Sequence, residues 1–210
     1  SLERIHQELV QRETEIYTKS FLEFIKGAWP ICEPGSPFMN GYHIEAIAEH
    51  LQACANGEIN KLLINIAPRH GKSTLCSVLF PAWLWTQSPS ERMLFGSYAL
   101  QLAMRDSTRT RRLITEEWYR ERWPHLVMTT DQATKANFEL TTTGQRQITS
   151  VGGPTTGIGG TTLVLDDPLN MKDADSAIVR ENTITWIREA FSTRLNPGRQ
   201  IQVCVMQRLH

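Results

Sequence analysis

Cysteine is scarce in this 210-residue sequence, and its four cysteines form neither a C-x-x-C pair nor a cluster with histidine at zinc-ligand spacing. A disulfide framework and a structural zinc site are therefore excluded, and we expect buried thiols in a reducing compartment. Long apolar runs are also lacking. The longest, residues 75–85, is interrupted by Ser77 and Pro81 and falls short of the ~20 residues that a membrane span needs. The sequence therefore predicts neither a transmembrane nor a secretory segment, and no membrane partner.

An excess of charge of either sign is absent as well. The 22 lysines and arginines are balanced by 22 aspartates and glutamates, so any nucleic-acid partner would have to contact a local basic patch. Hydrophobic residues make up 40% of the chain, which excludes a disordered chain and is enough for a core. The length predicts a single domain with a short appended arm.

The chain divides near residue 40. Residues 2–25 carry apolar side chains near helical spacing among many charges, which predicts an amphipathic helix. Residues 29–41 are rich in proline and glycine and predict a loop. We therefore assign residues 1–39 to an N-terminal helical arm with its loop, and residues 40–210 to a compact domain that opens with a helix near residues 44–55.

Strands and helices are predicted to alternate in the compact domain. Strands are expected at 61–66, 92–98, 162–165 and 201–205, and helices at 72–85, 99–114 and 175–193. Residues 137–142 and 147–150, joined around Gly144, predict a hairpin. This alternation predicts an α/β fold in which helices flank a mainly parallel central sheet.

A Gly-Lys-Ser tripeptide between an apolar strand and a helix is the strongest chemical signal. In that context backbone N–H groups and the helix N-terminus hold phosphates, Lys72 reaches the β- and γ-phosphate oxygens, and the Ser73 hydroxyl ligates Mg²⁺. Ile66 stands where the usual pattern has its first glycine. The predicted cofactors are ATP and Mg²⁺, and the predicted binding residues are Pro68, Arg69, His70, Gly71, Lys72, Ser73 and Thr74.

A second signal is the apolar strand that ends in two carboxylates, Asp166 and Asp167. Ligands bind at the carboxyl ends of strands in open α/β sheets. Asp166 would hold Mg²⁺, and Asp167 would polarise the attacking water, although the usual residue there is the longer glutamate. Taken alone, the pattern also fits a strand followed by an acidic turn. Its long separation from Lys72 favours a RecA-like ATPase layout over small-molecule kinases.

Four runs in order, at residues 68–73, 163–168, 192–198 and 206–210, resemble the N-terminal ATPase domain of the large terminase subunit of tailed double-stranded DNA bacteriophages. The resemblance covers the chain from about residue 40 to its end. It implies a RecA-like (ASCE) P-loop ATPase that packages a viral genome through the portal of a procapsid in the host cytoplasm. The implied partners are double-stranded DNA, the portal protein, the small terminase subunit and other copies in a homo-oligomeric ring. Family members continue into a nuclease domain, so we expect this chain to be an excised fragment without it.

The resemblance also implies contacts beyond the phosphate loop. Tyr42 and His43 lie where the family has its adenine-contacting element, with His43 in place of the common glutamine, and Tyr42 could stack on the base. Gln207 matches the polar residue that senses the γ-phosphate. A helix N-terminus with surface aromatics, and a solvated residue near the end of the chain, explain these positions equally well.

The arginine that would complete the site is harder to assign. Relatives have an arginine before a glycine in the loop ahead of the carboxylate strand, and here that pair is Thr156-Gly157. Arg69 and Arg194 are the predicted catalytic candidates, acting within their own site or on a neighbouring subunit. Arg105, Arg109, Arg111 and Arg112 are further candidates, although they fit a solvated helix face or a surface for DNA phosphates better.

Aromatic residues interleave with arginines at residues 118–123, a composition found at nucleic-acid and partner surfaces and equally in cores.

Three alternative functions stay open at this point. A helicase-type ATPase would normally show Asp-Glu-x-Asp or Asp-Glu-x-His at the second motif, and this chain has Asp166-Asp167-Pro168. A nucleotide-binding assembly module without hydrolysis is compatible with the missing glycine and glutamate. A small-molecule kinase would transfer phosphate to an acceptor other than water.

Overall fold

A six-stranded sheet lies at the centre of the residues that the computed structural model describes, which are 1–129, 134, 136–198 and 200–209. His210, the last residue of the fourth terminase-like run, lies outside them. The spatial order is β1-β6-β5-β2-β4-β3, and every pairing is parallel except that of β3 with β4. The strands are β1 (Lys61–Asn65), β2 (Arg92–Ser97), β3 (Phe138–Glu139), β4 (Gln145–Ser150), β5 (Thr162–Asp166) and β6 (Ile201–Met206).

Helices cover both faces of this sheet. They are α1 (Leu2–Lys19), α2 (Phe21–Cys32), α3 (Tyr42–Ala55), α4 (Phe80–Gln87), α5 (Leu100–Thr115), α6 (Glu117–Arg122) and α7 (Ala177–Trp186), with π-helical turns at Thr74–Leu79 and Ile187–Phe191. The predicted α/β architecture with a mainly parallel sheet is confirmed. Among the described residues, no helix combines the length and the apolar composition needed to cross a bilayer.

Burial on both faces explains the unbroken apolar runs of the central strands. In β5, Val164 packs into the large core beneath α2 to α5, whereas Leu163 and Leu165 pack with Phe191 on the opposite face. The interior of a strand that is covered on both sides is mostly apolar, and its polar residues tend to stand at its ends. Asp166 is accordingly the last residue of β5.

The N-terminal segment differs from its prediction. The single helix predicted over residues 2–25 is wrong, because the chain turns extended at Ser20, whose side chain caps α2 by accepting a hydrogen bond from the Glu23 amide. The helix α2 then continues through Pro30 to Cys32, so the predicted loop begins at residue 33. No side chain of α1 is buried, but α2 contributes fully buried side chains to the same core as α3 to α5. They are Phe21, Phe24, Ile25 and Ala28.

The aromatic residues near position 120 belong to the core. Tyr119 and Trp123 are buried around Phe24, and the Tyr119 hydroxyl donates a hydrogen bond to the carbonyl of Ala82 at 2.7 Å. The short helix α6 that carries Tyr119 was not among the predicted elements. Of the two interpretations of this stretch, the packing of Tyr119 and Trp123 supports the core.

Close backbone contact requires a glycine just before β5. A Cβ atom at Gly160 would lie 2.2 Å from the carbonyl oxygen of Arg92, and that oxygen accepts a hydrogen bond from the Thr161 amide. We expect Gly160→Ala to destabilise the fold by about 1 to 3 kcal/mol, because backbone on both sides must shift. Denaturant unfolding measures the effect. The matched control is Gly35→Ala, where a Cβ meets nothing within 4 Å; equal midpoints for the two variants would contradict the prediction.

Candidate functional site

The site forms where β1, β5 and β6 reach the same edge of the sheet. The loop after β1 carries the Gly-Lys-Ser tripeptide, β5 ends in Asp166 and Asp167, and Gln207 directly follows β6. Lys72 Nζ lies 2.5 Å from Asp167 Oδ1, and the backbone N–H of Gln207 donates to the same oxygen at 3.4 Å. Because β6 pairs with both other strands, three segments far apart in sequence meet at this point.

The loop after β1 is sharply folded. Arg69 and Gly71 have φ angles of 64° and 75°, in the left-handed region that favours glycine. His70 Nδ1 lies 2.9 Å from the Pro68 carbonyl oxygen across the turn. Helical structure begins at Lys72, so the backbone N–H groups of the first turn are free of helical partners and available for an anion.

Lys72 and Asp167 form an ion pair that is largely shielded from solvent, with 9% and 25% of their side chains exposed. Asp167 adopts a φ of 45°, and its backbone is held on both sides, with its amide donating to Val205 and its carbonyl accepting from Tyr98. The carboxylate therefore projects from a fixed turn onto the ammonium group. A phosphate that approaches Lys72 has to share it with Asp167 or displace it.

Asp166 is buried, with 8% of its surface exposed, whereas Asp167 is half-buried. Its Oδ2 accepts a hydrogen bond from Ser77 Oγ at 2.8 Å, while its Oδ1 is buried without a hydrogen-bond partner. Burial raises the pKa of Asp166 to about 6. Hydrogen bonds from Ser73 and Ser77 lower this pKa, and the charges of Asp106 and Asp167 raise it. A buried, unpaired carboxylate oxygen is a strong site for a cation.

The donor set suits Mg²⁺. This ion is commonly held by one or two protein oxygens together with substrate phosphates and water, so a dedicated protein cage is not required. The described residues contain no cluster of three or more histidine, cysteine or acidic side chains able to hold a metal. The Ser73 hydroxyl and the unpaired Oδ1 of Asp166 are two oxygen atoms of cavity-lining residues that could hold Mg²⁺.

A cavity of about 220 Å³ joins these groups. The sequence-predicted residues that line it are Pro68, Arg69, Lys72, Ser73, Asp166, Asp167 and Gln207. An adjoining opening of about 370 Å³ is lined by Gly71 and Thr74 and leads from Lys72 towards Arg105 and Arg109. The structure thus brings together most of the residues that the sequence singled out.

Thr74 and Arg109 have structural partners in this region. The Thr74 hydroxyl donates to Glu33 Oε1 at 2.9 Å and accepts from Arg109 Nη1 at 3.1 Å, and Arg109 also pairs with Glu33. These contacts tie the end of α2, the π-helical turn and α5 together. Arg105, the next candidate along α5, is bidentate to Asp106 at 2.9 and 3.1 Å.

Tyr42 and His43 begin α3 beside the phosphate loop. The His43 ring lies 5.5 Å from the His70 ring at 78°, which brings the predicted adenine-contacting element against the loop. The Tyr42 ring lies 6.1 Å from that of His43 and its side chain is exposed.

Arg194 lies far from this cavity. Its carbonyl accepts a hydrogen bond from the Gly160 amide, just before β5 begins, and its side chain reaches the carbonyl of Thr155. Asp166 ends that strand six residues after Gly160, and at about 3.3 Å per residue this segment spans roughly 20 Å when extended. In a single copy, the structure does not bring Arg194 together with Lys72.

Sequence reasoning missed four buried polar residues that line the cavity, which are Ser77, Ser97, Asp106 and Arg146. Ser77 follows Ser73 by four residues, and this spacing on one helical face was the available signal. Arg146 stands in β4 and had no comparable signal, because a lone arginine in a hairpin strand is ordinarily solvated.

No protein-family model matches this sequence, and no curated protein matches it. Among solved structures, the fold is similar to the crystal structure of the HK97 bacteriophage large terminase, with a TM-score of 0.51 and 12% sequence identity. The match covers 90% of this chain and 37% of that chain. At this identity the likeness concerns the fold, and it supports a terminase-like architecture.

Proposed function

We propose that this chain is the ATPase domain of a viral genome-packaging motor, which couples ATP hydrolysis to translocation of double-stranded DNA. One observation carries the proposal: Lys72, Ser73, Asp166 and Asp167 line one cavity at the carboxyl edge of a mainly parallel sheet. This is the set of groups that phosphoryl transfer from a nucleotide requires. The likeness of the fold to a phage large terminase supports the choice of motor.

Each group has a role in the proposed reaction. The first-turn amides and Lys72 bind the phosphates, and Lys72 moves from Asp167 to the γ-phosphate oxygens. Asp167, released from its ion pair, accepts a proton from the attacking water. Ser73 and Asp166 would hold Mg²⁺, which would supply positive charge to neutralise the phosphate oxygens.

Gln207 supports the RecA-like P-loop form of this proposal. Because β6 lies between β1 and β5, the residue after β6 is held between the phosphate loop and the two carboxylates. The backbone N–H of Gln207 lies 3.4 Å from Asp167 Oδ1. In the proposal its side chain contacts the γ-phosphate and transmits the change that follows hydrolysis to the end of β6.

The partners come from the terminase resemblance and the likeness of fold. In the proposal the domain works in the host cytoplasm within a homo-oligomeric ring, at the portal protein, with the small terminase subunit and double-stranded DNA. Addition of double-stranded DNA should therefore raise the rate of ATP hydrolysis, which a coupled assay measures directly.

Substitution of the phosphate-loop lysine tests the proposal. We expect Lys72→Ala to reduce ATP hydrolysis by at least about tenfold, since it removes the charge that meets the β- and γ-phosphates. Release of inorganic phosphate is the measurement. Lys19→Ala, at an exposed lysine in the last turn of α1, is the matched control and should keep the parent rate.

Two outcomes would contradict the proposal. Hydrolysis by Lys72→Ala at more than about a tenth of the parent rate would remove the phosphate-loop assignment. Nucleotide binding without any turnover in the parent, with DNA present, would instead favour the non-hydrolysing assembly module.

A further inference from the structure

Behind Asp166, a fully buried arginine has fewer partners than it can use. Arg146 in β4 is 0% exposed, its Cζ lies 3.7 Å from the centre of the Phe95 ring, and its Nη1 donates to Thr110 Oγ1 at 3.0 Å. Its Nε and Nη2 have no hydrogen-bond partner. A buried cation with unused donors destabilises the fold, and buried groups of this kind often serve the function of the site around them.

The charges that face Arg146 are carboxylates. Burial lowers the pKa of Arg146 to about 9, while Asp106 and Asp166 act in the opposite direction, so the guanidinium stays charged at neutral pH. Asp106 is itself buried and is bidentate to Arg105. Asp166 has the unpaired Oδ1, and it lines the same cavity as Arg146. The buried guanidinium and the unpaired carboxylate oxygen therefore belong to residues that line one cavity.

A chain of hydrogen bonds also connects the two residues. The Thr110 hydroxyl accepts from Arg146 and shares its single proton among three carbonyls, that of Asp106 in its own helix at 3.1 Å, that of Val78 at 3.2 Å and that of Ser77 at 3.4 Å. The last two carbonyls belong to the π-helical turn Thr74–Leu79, and π-helical turns occur frequently at functional sites. The Ser77 hydroxyl on that turn donates to Asp166 Oδ2.

We propose that Arg146 and Ser77 are positioning residues for the Asp166 carboxylate. Ser77 holds Oδ2 directly, and Arg146 supplies the opposing buried charge and, through Thr110, fixes the turn that carries Ser77. Oδ1 is left as the ligand atom for Mg²⁺. This inference rests on the proposed MgATP site and adds to it the residues that orient its metal ligand. Such partners are worth about 10-fold to 100-fold in metal affinity in other sites.

The test separates binding of the metal from binding of the nucleotide. ADP is added to saturation, and the Mg²⁺ concentration that gives half of the further rise in melting temperature is measured for the parent, Ser77→Ala and Arg146→Met. We expect this concentration to rise by about tenfold or more in both variants. The rise in melting temperature with ADP alone should stay at the parent value, because neither side chain belongs to the phosphate loop.

Matched variants distinguish positioning from general damage to the core. Ser107→Ala removes another buried hydroxyl of the α5 side, which donates to the Ala136 carbonyl, and Arg122→Met removes another largely buried arginine, which stacks on Trp118. Both should keep the parent Mg²⁺ requirement. Arg146→Lys retains the charge and should recover part of the loss. Methionine is a fitting replacement for Arg146, since apolar residues of similar volume often substitute for buried charges without loss of stability.

The result can overturn the inference in two ways. An unchanged Mg²⁺ requirement in Ser77→Ala and Arg146→Met, or an equal shift in the two controls, would show that these residues do not position Asp166. If Arg146→Met fails to fold, Ser77→Ala still decides the question, because Ser77 holds Oδ2 of Asp166 directly. A parent protein that shows no shift with ADP and Mg²⁺ would instead remove the proposed function, and this inference with it.

Discussion

Asp167→Asn is expected to lower ATP turnover by about a hundredfold or more. The amide keeps the shape of the carboxylate, but it cannot take a proton from water. It also removes the charge that holds Lys72 at 2.5 Å. ATP should therefore bind at least as tightly as to the parent, because Lys72 no longer has to leave an ion pair. In this variant, ATP binding is therefore expected to persist while ATP hydrolysis is lost.

Equilibrium binding of ATP and single-turnover hydrolysis measure the two effects independently. Asp175→Asn, at an exposed aspartate ahead of α7, is the control and should leave both unchanged. Asp166→Asn should behave differently again, with a raised requirement for Mg²⁺. Weakened ATP binding with intact turnover at saturation in Asp167→Asn would mean that Asp167 holds the metal and that another group is the base.

The parts of this site that follow from local sequence were predictable. β1 and β5 are short apolar runs that end abruptly, one at the Pro68 to Ser73 loop and the other at Asp166, and in a parallel sheet such ends share one edge. The chemistry of each residue type then indicated a phosphate site and a metal carboxylate before any distance was known. The pairing of Lys72 with Asp167 follows from the same topology.

The layer behind the site was not predictable, because it depends on tertiary packing. Arg146 becomes buried only when α5 covers β4, and the hydrogen bond from Ser77 to Asp166 joins a helical turn to the end of a strand 89 residues further along the chain. The break at Ser20 was hidden for a related reason. Apolar residues continue at helical spacing across it, so periodicity did not reveal the extended residue between α1 and α2.

The position of Arg194 illustrates a further limit. The distance between its run and the carboxylates depends on tertiary structure, in which a backbone bridge between Gly160 and Leu195 places Arg194 near the start of β5. Arg69 lines the cavity of its own copy, while Arg109 is held by Glu33 and Thr74. These three of the six candidate arginines therefore differ in whether their side chains can reach the cavity of their own copy.

Because these arginines differ in reach, we expect assembly into an oligomer to raise the rate of ATP hydrolysis strongly. With Thr156 in place of the usual arginine before Gly157, the isolated chain should hydrolyse ATP slowly, because an arginine supplied by a neighbour is worth about 10³ to 10⁵ in rate in related enzymes. Specific activity should rise with protein concentration and on addition of portal protein or DNA. Steady-state rates over a dilution series, with sedimentation of the same samples, measure this.

Mixing of inactive variants identifies the arginine. Lys72→Ala protein has no working site of its own but still offers its arginines to a neighbour. When it is mixed with Arg194→Ala protein, activity should return, since Arg194 is bonded at the start of β5, is not among the residues that line its own cavity, and can therefore act only on another copy. Arg69→Ala protein should not be rescued, because Arg69 lines the cavity that it serves. Arg109→Ala, mixed in the same way, is the control for loss of a structural arginine. Full activity in dilute monomer, independent of concentration, would show that no neighbour is needed and that Arg69 suffices within its own site.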